Sequence, residues 1–156
     1  MGSSYMDYRE QGFWARDFQA EVWLFLLSEE AARLTGRPEW LDAARSDWHL
    51  QATAGFTGFV SPCLDEHLGT APDRVATVVA LSLRLRERLL RWAPAIPRDV
   101  VNGFGTGGRG SSFGRDLDTD VLLKFADAFE ALLRGEIAGG AGHGRGVLTT
   151  ASEPRP

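Results

Sequence analysis

The residues whose types and spacing could do chemistry begin with the stretch NGFGTGGRGSSFGRDLDTD, residues 102–120. It holds a formal G-x-G-x-x-G at Gly103, Gly105 and Gly108, followed by Arg109, Ser111 and the aspartates Asp116, Asp118 and Asp120. A glycine loop binds phosphate when open N–H groups and a helix N-terminus offer partial positive charge. Here the helix that follows opens among carboxylates, which already complement its dipole and repel a phosphate. The dinucleotide fingerprint also needs a preceding strand and a βαβ unit, and the pattern offers neither. The spacing predicts a flexible joint followed by aspartate capping, with no cofactor implied.

Within that stretch, GSSFGRDLDTDVLL (residues 110–123) resembles the Gly-Ser then Asp-x-Asp-apolar signature of minimal nucleotidyltransferases. The resemblance implies Asp118 and Asp120 as magnesium ligands and Gly110 with Ser111 as the phosphate contact. Three departures stand against it: the spacer is short, the Asp-x-Asp segment continues in helical period through Leu133, and no later strand offers a third carboxylate. Asp116, Asp118 and Asp120 also open like a calcium loop with Asp127 at the twelfth place. Val121, however, stands where that loop turns on glycine.

CLDEH, residues 63–67, puts Cys63 and His67 four apart, within reach of one metal on a helix, with Asp65, Glu66 and His49 as further donors. No second pair with ligand spacing exists, so no metal site is predicted and Cys63 reads as a small buried residue. As a nucleophile Cys63 lacks an orienting group and an oxyanion site. Ser111 and Ser112 lie in a glycine-rich loop without a strand-to-helix elbow, and His143 falls in the tail.

Acids crowd the first half. Residues 1–70 carry eleven acids against five arginines, whereas residues 71–100 carry six arginines against three acids. Asp17, Glu21, Glu29, Glu30, Asp42, Asp47, Asp65 and Glu66 are the candidate contacts for a basic protein partner. Arg84, Arg88 and Arg91 form a stripe that reads as a solvated face pairing with the acidic first helix. A net charge of −4 disfavours nucleic acid as a partner.

The elements that must position these groups read as helices. Tyr8 to Leu34 carries Trp14, Phe18, Val22 and Phe25 at helical spacing, and Pro38 to Ala54 carries Trp40, Leu41, Ala44, Trp48 and Ala52 on one face. A short helix through Leu64 and Leu68 follows. Asp73 to Ala93 has an inward stripe of Val75, Val78, Val79, Leu85, Leu89 and Trp92, and Leu117 to Gly135 one of Val121, Leu122, Phe125, Phe129, Leu132 and Leu133. The predicted fold is all-α: one domain, residues 6–136, a bundle of four long helices plus one or two short ones, with the glycine loop before the last. Residues 137–156 read as a disordered Gly/Pro-rich tail. MGSSY at the start is set aside from the fold as an appended leader.

A chain of 156 residues with 44% hydrophobic content can bury a core without staples. Its single cysteine fits a reducing compartment, which points to the cytoplasm. The longest apolar run, Val22 to Leu27, is far short of a membrane span. Sixteen arginines against one lysine suggest a GC-rich bacterial genome. Together these features point to a non-catalytic acidic binding protein, of the type of a toxin-neutralising immunity protein. The alternatives are a small nucleotide-binding or nucleotidyltransferase-like enzyme using residues 103–120, and a structural homodimer joined through Trp23.

Overall fold

The structure, a computed structural model, describes residues 2–137 together with Gly146–Val147. It opens with a β-hairpin, β1 (Ser3–Tyr8) and β2 (Gln11–Arg16), paired antiparallel from Ser3 with Arg16 to Tyr8 with Gln11. The turn is Arg9–Glu10, both at positive φ (51° and 67°), the backbone of a two-residue hairpin loop whose twist matches the strands. Alternation then sorts the faces: Ser4, Met6, Tyr8, Phe13 and Ala15 point into the core, and Trp14 stays 37% exposed against Tyr5.

Helices α1 (Asp17–Ala32), α2 (Glu39–Thr53), α3 (Leu64–Leu68) and α4 (Pro72–Trp92) follow. Then come β3 (Ala95–Ile96), α5 (Arg98–Asn102), β4 (Leu117–Asp118) and α6 (Thr119–Leu133). β3 pairs antiparallel with β4. β5 (Gly146–Val147) runs parallel to β2 beside Phe13 and Trp14. The fold is therefore mixed α and β, with a three-stranded and a two-stranded sheet, and the all-α bundle that periodicity predicts is overturned.

α1 is the central element, touching α2, α4, α6 and the hairpin. It is buried on nearly every side, because Val22, Trp23, Leu24, Leu26 and Leu27 leave no polar face in its middle. Trp23 lies between Phe125 and Phe129, ring centroids 5.6 Å from each, and is fully buried, so it is not available as a contact between copies. Trp48 is likewise buried and donates from Nε1 to the Pro62 carbonyl at 2.9 Å. α4 and α6 close the other side of α1, joined by Arg86, which pairs with Asp127 at 2.6 Å and Glu130 at 3.1 Å.

Ser3 to Tyr5, left outside the folded part by the sequence reading, form the first half of β1, and Ser4 is fully buried. The tail expected to be disordered over residues 137–156, with His143, lies outside the described residues apart from Ile137 and β5. No helix among the described residues is long and apolar enough to cross a membrane.

Candidate functional site

The glycine-rich segment is held, not loose. Asn102 clasps Phe113 twice, accepting from its N–H at 2.6 Å and donating to its carbonyl at 3.1 Å, which closes the segment at its base. The loop then lies along α1 at Phe18, Glu21 and Phe25, an i, i+3, i+7 stripe. Phe18 meets Phe113 edge-on at 6.2 Å, and Phe25 stacks on Phe104 at 4.7 Å. Between these aromatic contacts, Oε1 of Glu21 lies 3.7 Å from the point where a Cβ on Gly107 would stand.

The loop also meets the end of α2. Gly107 N–H donates to the Ala52 carbonyl at 2.9 Å, and the backbones of Gly107 and Gly108 rest on Gly55. Gly108 has φ +83°, and a Cβ there would sit 3.1 Å from the Gly55 Cα, so both its conformation and its neighbour require glycine. The flexible joint expected here is instead a loop-on-loop contact. The reason lies about fifty residues away in sequence, at Gly55.

Beneath this contact are two carboxyl groups one turn apart. Asp17 accepts from Ser4 Oγ at 2.6 Å and from Gly58 N–H at 2.9 Å. Ser4 Oγ in turn accepts from Val60 N–H at 2.9 Å. Glu21 is 6% exposed, and among the described residues no hydrogen-bond donor reaches it. Burial first, and the negative charge of Asp17 second, push its carboxyl up to about 7.

The buried network pins the loop between α2 and α3. Gly58 and Val60 are tied to Asp17 and Ser4, Ser61 N–H donates to Gln51 Oε1 at 3.0 Å, and Pro62 accepts from Trp48. Above these anchors the same loop lifts Phe59 to 82% exposure and Phe56 to 39%, with Leu50, on the last turns of α2, at 52%. An aromatic ring so exposed on an anchored backbone is an apolar contact with little ordering left to lose.

Most of the other acids marked from sequence have partners within the fold. Glu29 and Glu30 are both bonded to Arg88, at 3.0 and 3.2 Å, and Glu30 is buried. Arg88 also lies over the Trp92 ring, so of the arginine stripe it is this residue that ties α4 to α1, while Arg84 and Arg91 stay exposed. Asp42 pairs with Arg37 at 2.7 Å, which holds its carboxyl below the usual range, and Arg45 adds to this. Asp47 meets His67 at 2.8 Å, Asp65 accepts from Arg9 N–H, and Glu66 is exposed.

The remaining loop candidates have local roles. Gly103 closes α5, and Gly105 sits at φ +71° in the turn that follows. Ser111 Oγ donates to the Gly107 carbonyl at 2.8 Å, and Arg109 is exposed. Asp116 accepts from Arg98 N–H at 2.8 Å beside an open groove lined by Pro97, Arg98, Asp99, Gly114, Arg115 and Asp116. Two arginines and two aspartates leave that groove with no net formal charge. Asp118 caps α6 by accepting from Asp120 N–H at 2.9 Å, and Val121 onward is helix, where a nucleotidyltransferase motif would need strand.

At Cys63 (φ 48°), burial pushes the thiol up, and the nearby Asp47 carboxylate works in the same direction. That is the opposite of the activation a nucleophilic thiol needs. Among the described residues no three His, Cys, Asp or Glu side chains are placed to hold a metal ion. No family model, curated protein or solved structure matches the chain.

Proposed function

We propose that this chain is a non-catalytic protein-binding module that docks a partner protein on Phe59, Phe56 and Leu50. The observation carrying this reading is Phe59: a phenylalanine 82% exposed at the tip of a loop whose backbone is tied down by Asp17 and Ser4. Exposing such a ring to water is unfavourable in the isolated molecule, and interface energy concentrates in rings that enter a partner's pocket. Pinning the loop beforehand lowers the cost of ordering it on contact.

Several groups that could do chemistry have structural partners instead. His67 faces Asp47, Asp118 caps a helix, and Asp17 anchors a loop. The net charge of −4 favours a basic partner, and a bacterial toxin held inactive in the cytoplasm by this chain fits that charge and size. In this reading the aromatic loop supplies affinity, while the acids that remain exposed steer the encounter.

The test is a binding titration against the product of the gene adjacent to this chain's own, with wild type and Phe59→Ala. The reading expects binding that weakens at least about tenfold in the variant, or about 1.4 kcal/mol. Equal affinity of the two proteins contradicts it.

A further inference from the structure

We propose that the contact of Gly107 and Gly108 with Gly55 is a proton-operated latch. It is closed over Glu21 while that carboxyl is protonated, and it opens when the carboxyl ionises, loosening the segment that carries Phe56 and Phe59.

The argument starts from an imbalance on one face of α1. Asp17 has a hydroxyl and a backbone N–H to satisfy its charge, and Glu21, one turn on, has neither. Aromatic pairs at Phe18–Phe113 and Phe25–Phe104 flank Glu21, and its Oε1 stands beside Gly107, 3.7 Å from the place of a Cβ there. A neutral carboxyl tolerates such a place far better than a carboxylate, whose charge needs water or a donor. Among the described residues the elements packed around it bring no compensating charge. On α1 the neighbour is Asp17, of like sign. On α2, His49 has its ring against Phe25 at 5.7 Å, and the loop over residues 55–60 has no ionisable side chain. In the glycine segment Arg109 and Arg115 are exposed and unpaired among the described residues.

Glu21 keeps a narrow contact with water, and the latch is where that contact would widen. One backbone hydrogen bond, Gly107 to Ala52, and the glycine-on-glycine contact join the two loops, beside the buried Thr106. Opening there would hydrate Glu21 while leaving the aromatic pairs on either side in place. Glu21 titrates near 7, so the latch works close to neutral pH. Gly55 begins the loop that ends at the Asp17 and Ser4 anchors, so release at Gly55 frees one end of it. The effect on docking rests on the function proposed above. The latch does not, because it is read in the isolated protein.

The experiment is amide hydrogen exchange at Gly107, corrected for the intrinsic pH dependence of exchange. In wild type the protection of this amide is expected to fall about tenfold between about pH 6 and pH 8, as linkage to one proton requires. In Glu21→Gln and in the apolar Glu21→Met, protection is expected to lose that dependence. Should either variant fold poorly, the Glu21 carboxyl resonance of wild type and the Gly107 amide shift are expected to titrate with one midpoint. Flat protection in wild type, a dependence that survives in the folded variants, or separate midpoints would overturn the latch. Flat protection of Gly107 over this pH range together with partner binding that requires Phe59 would overturn the latch and leave the docking reading standing. PH-dependent protection without any effect of Phe59→Ala on binding would do the reverse.

Discussion

Asp17 and Glu21 stand one turn apart on α1, yet among the described residues Asp17 accepts two hydrogen bonds and Glu21 accepts none. This asymmetry sets the pH dependence of stability. The Glu21 carboxyl is raised from 4.5 to about 7 in the folded chain, so the stability it contributes is complete below 4.5. That contribution is lost as the pH rises toward 7, at a limiting slope of about 1.4 kcal/mol per unit. Urea denaturation across this range is expected to show the loss in wild type, and the wild-type minus Glu21→Gln difference isolates it. Asp7 shifts in the same direction, through burial and then Asp65, and cancels in that difference. A difference that does not change with pH contradicts the assignment.

Ser4 joins the hairpin to the exposed loop, donating to Asp17 and accepting from Val60. Ser4→Ala leaves a buried N–H and a carboxylate oxygen short of a partner, an expected cost of about 1–3 kcal/mol in chemical denaturation. Ser3→Ala, at an exposed position on the same strand, is expected to change little. Equal effects of the two changes would remove Ser4 from the anchor.

Gly108 and Gly110 have nearly the same φ, +83° and +84°, but different surroundings. A Cβ at 108 meets the Gly55 Cα at 3.1 Å, and one at 110 meets open space. Gly110→Ala therefore carries backbone strain alone, about 1 kcal/mol, and Gly108→Ala adds displacement of the loop-on-loop contact. Thermal denaturation is expected to rank Gly108→Ala below Gly110→Ala. The reverse order would mean that Gly55 does not confine the loop.

The long helices were legible where one face is apolar and the other is not. Val78, Leu85 and Leu89 of α4 are fully buried, and a proline lies at its start and another just past its end. The hairpin was not legible, because Arg9–Glu10 takes a turn that usually advertises itself with asparagine and glycine. Trp14 and Phe18 happen to fall at helical spacing, so the strands were absorbed into the helix after them. Trp23 was assigned outward because α1 was expected to have a solvent side, and it has almost none. The site was hidden for a different reason. That Glu21 is buried depends on Gly107, and that Asp17 is occupied depends on Gly58, partners whose distance along the chain no local pattern encodes. What could be read was that an aspartate would cap the helix after residues 102–120.

The central claim is that the loop bearing Phe59 is the face the partner covers. A photo-reactive phenylalanine analogue placed at Phe59, and separately at Leu83 on the exposed side of α4, tests it directly in the complex with the adjacent gene's product. A crosslink from position 59 with position 83 silent is the expected result. A crosslink from position 83 with position 59 silent would contradict the account.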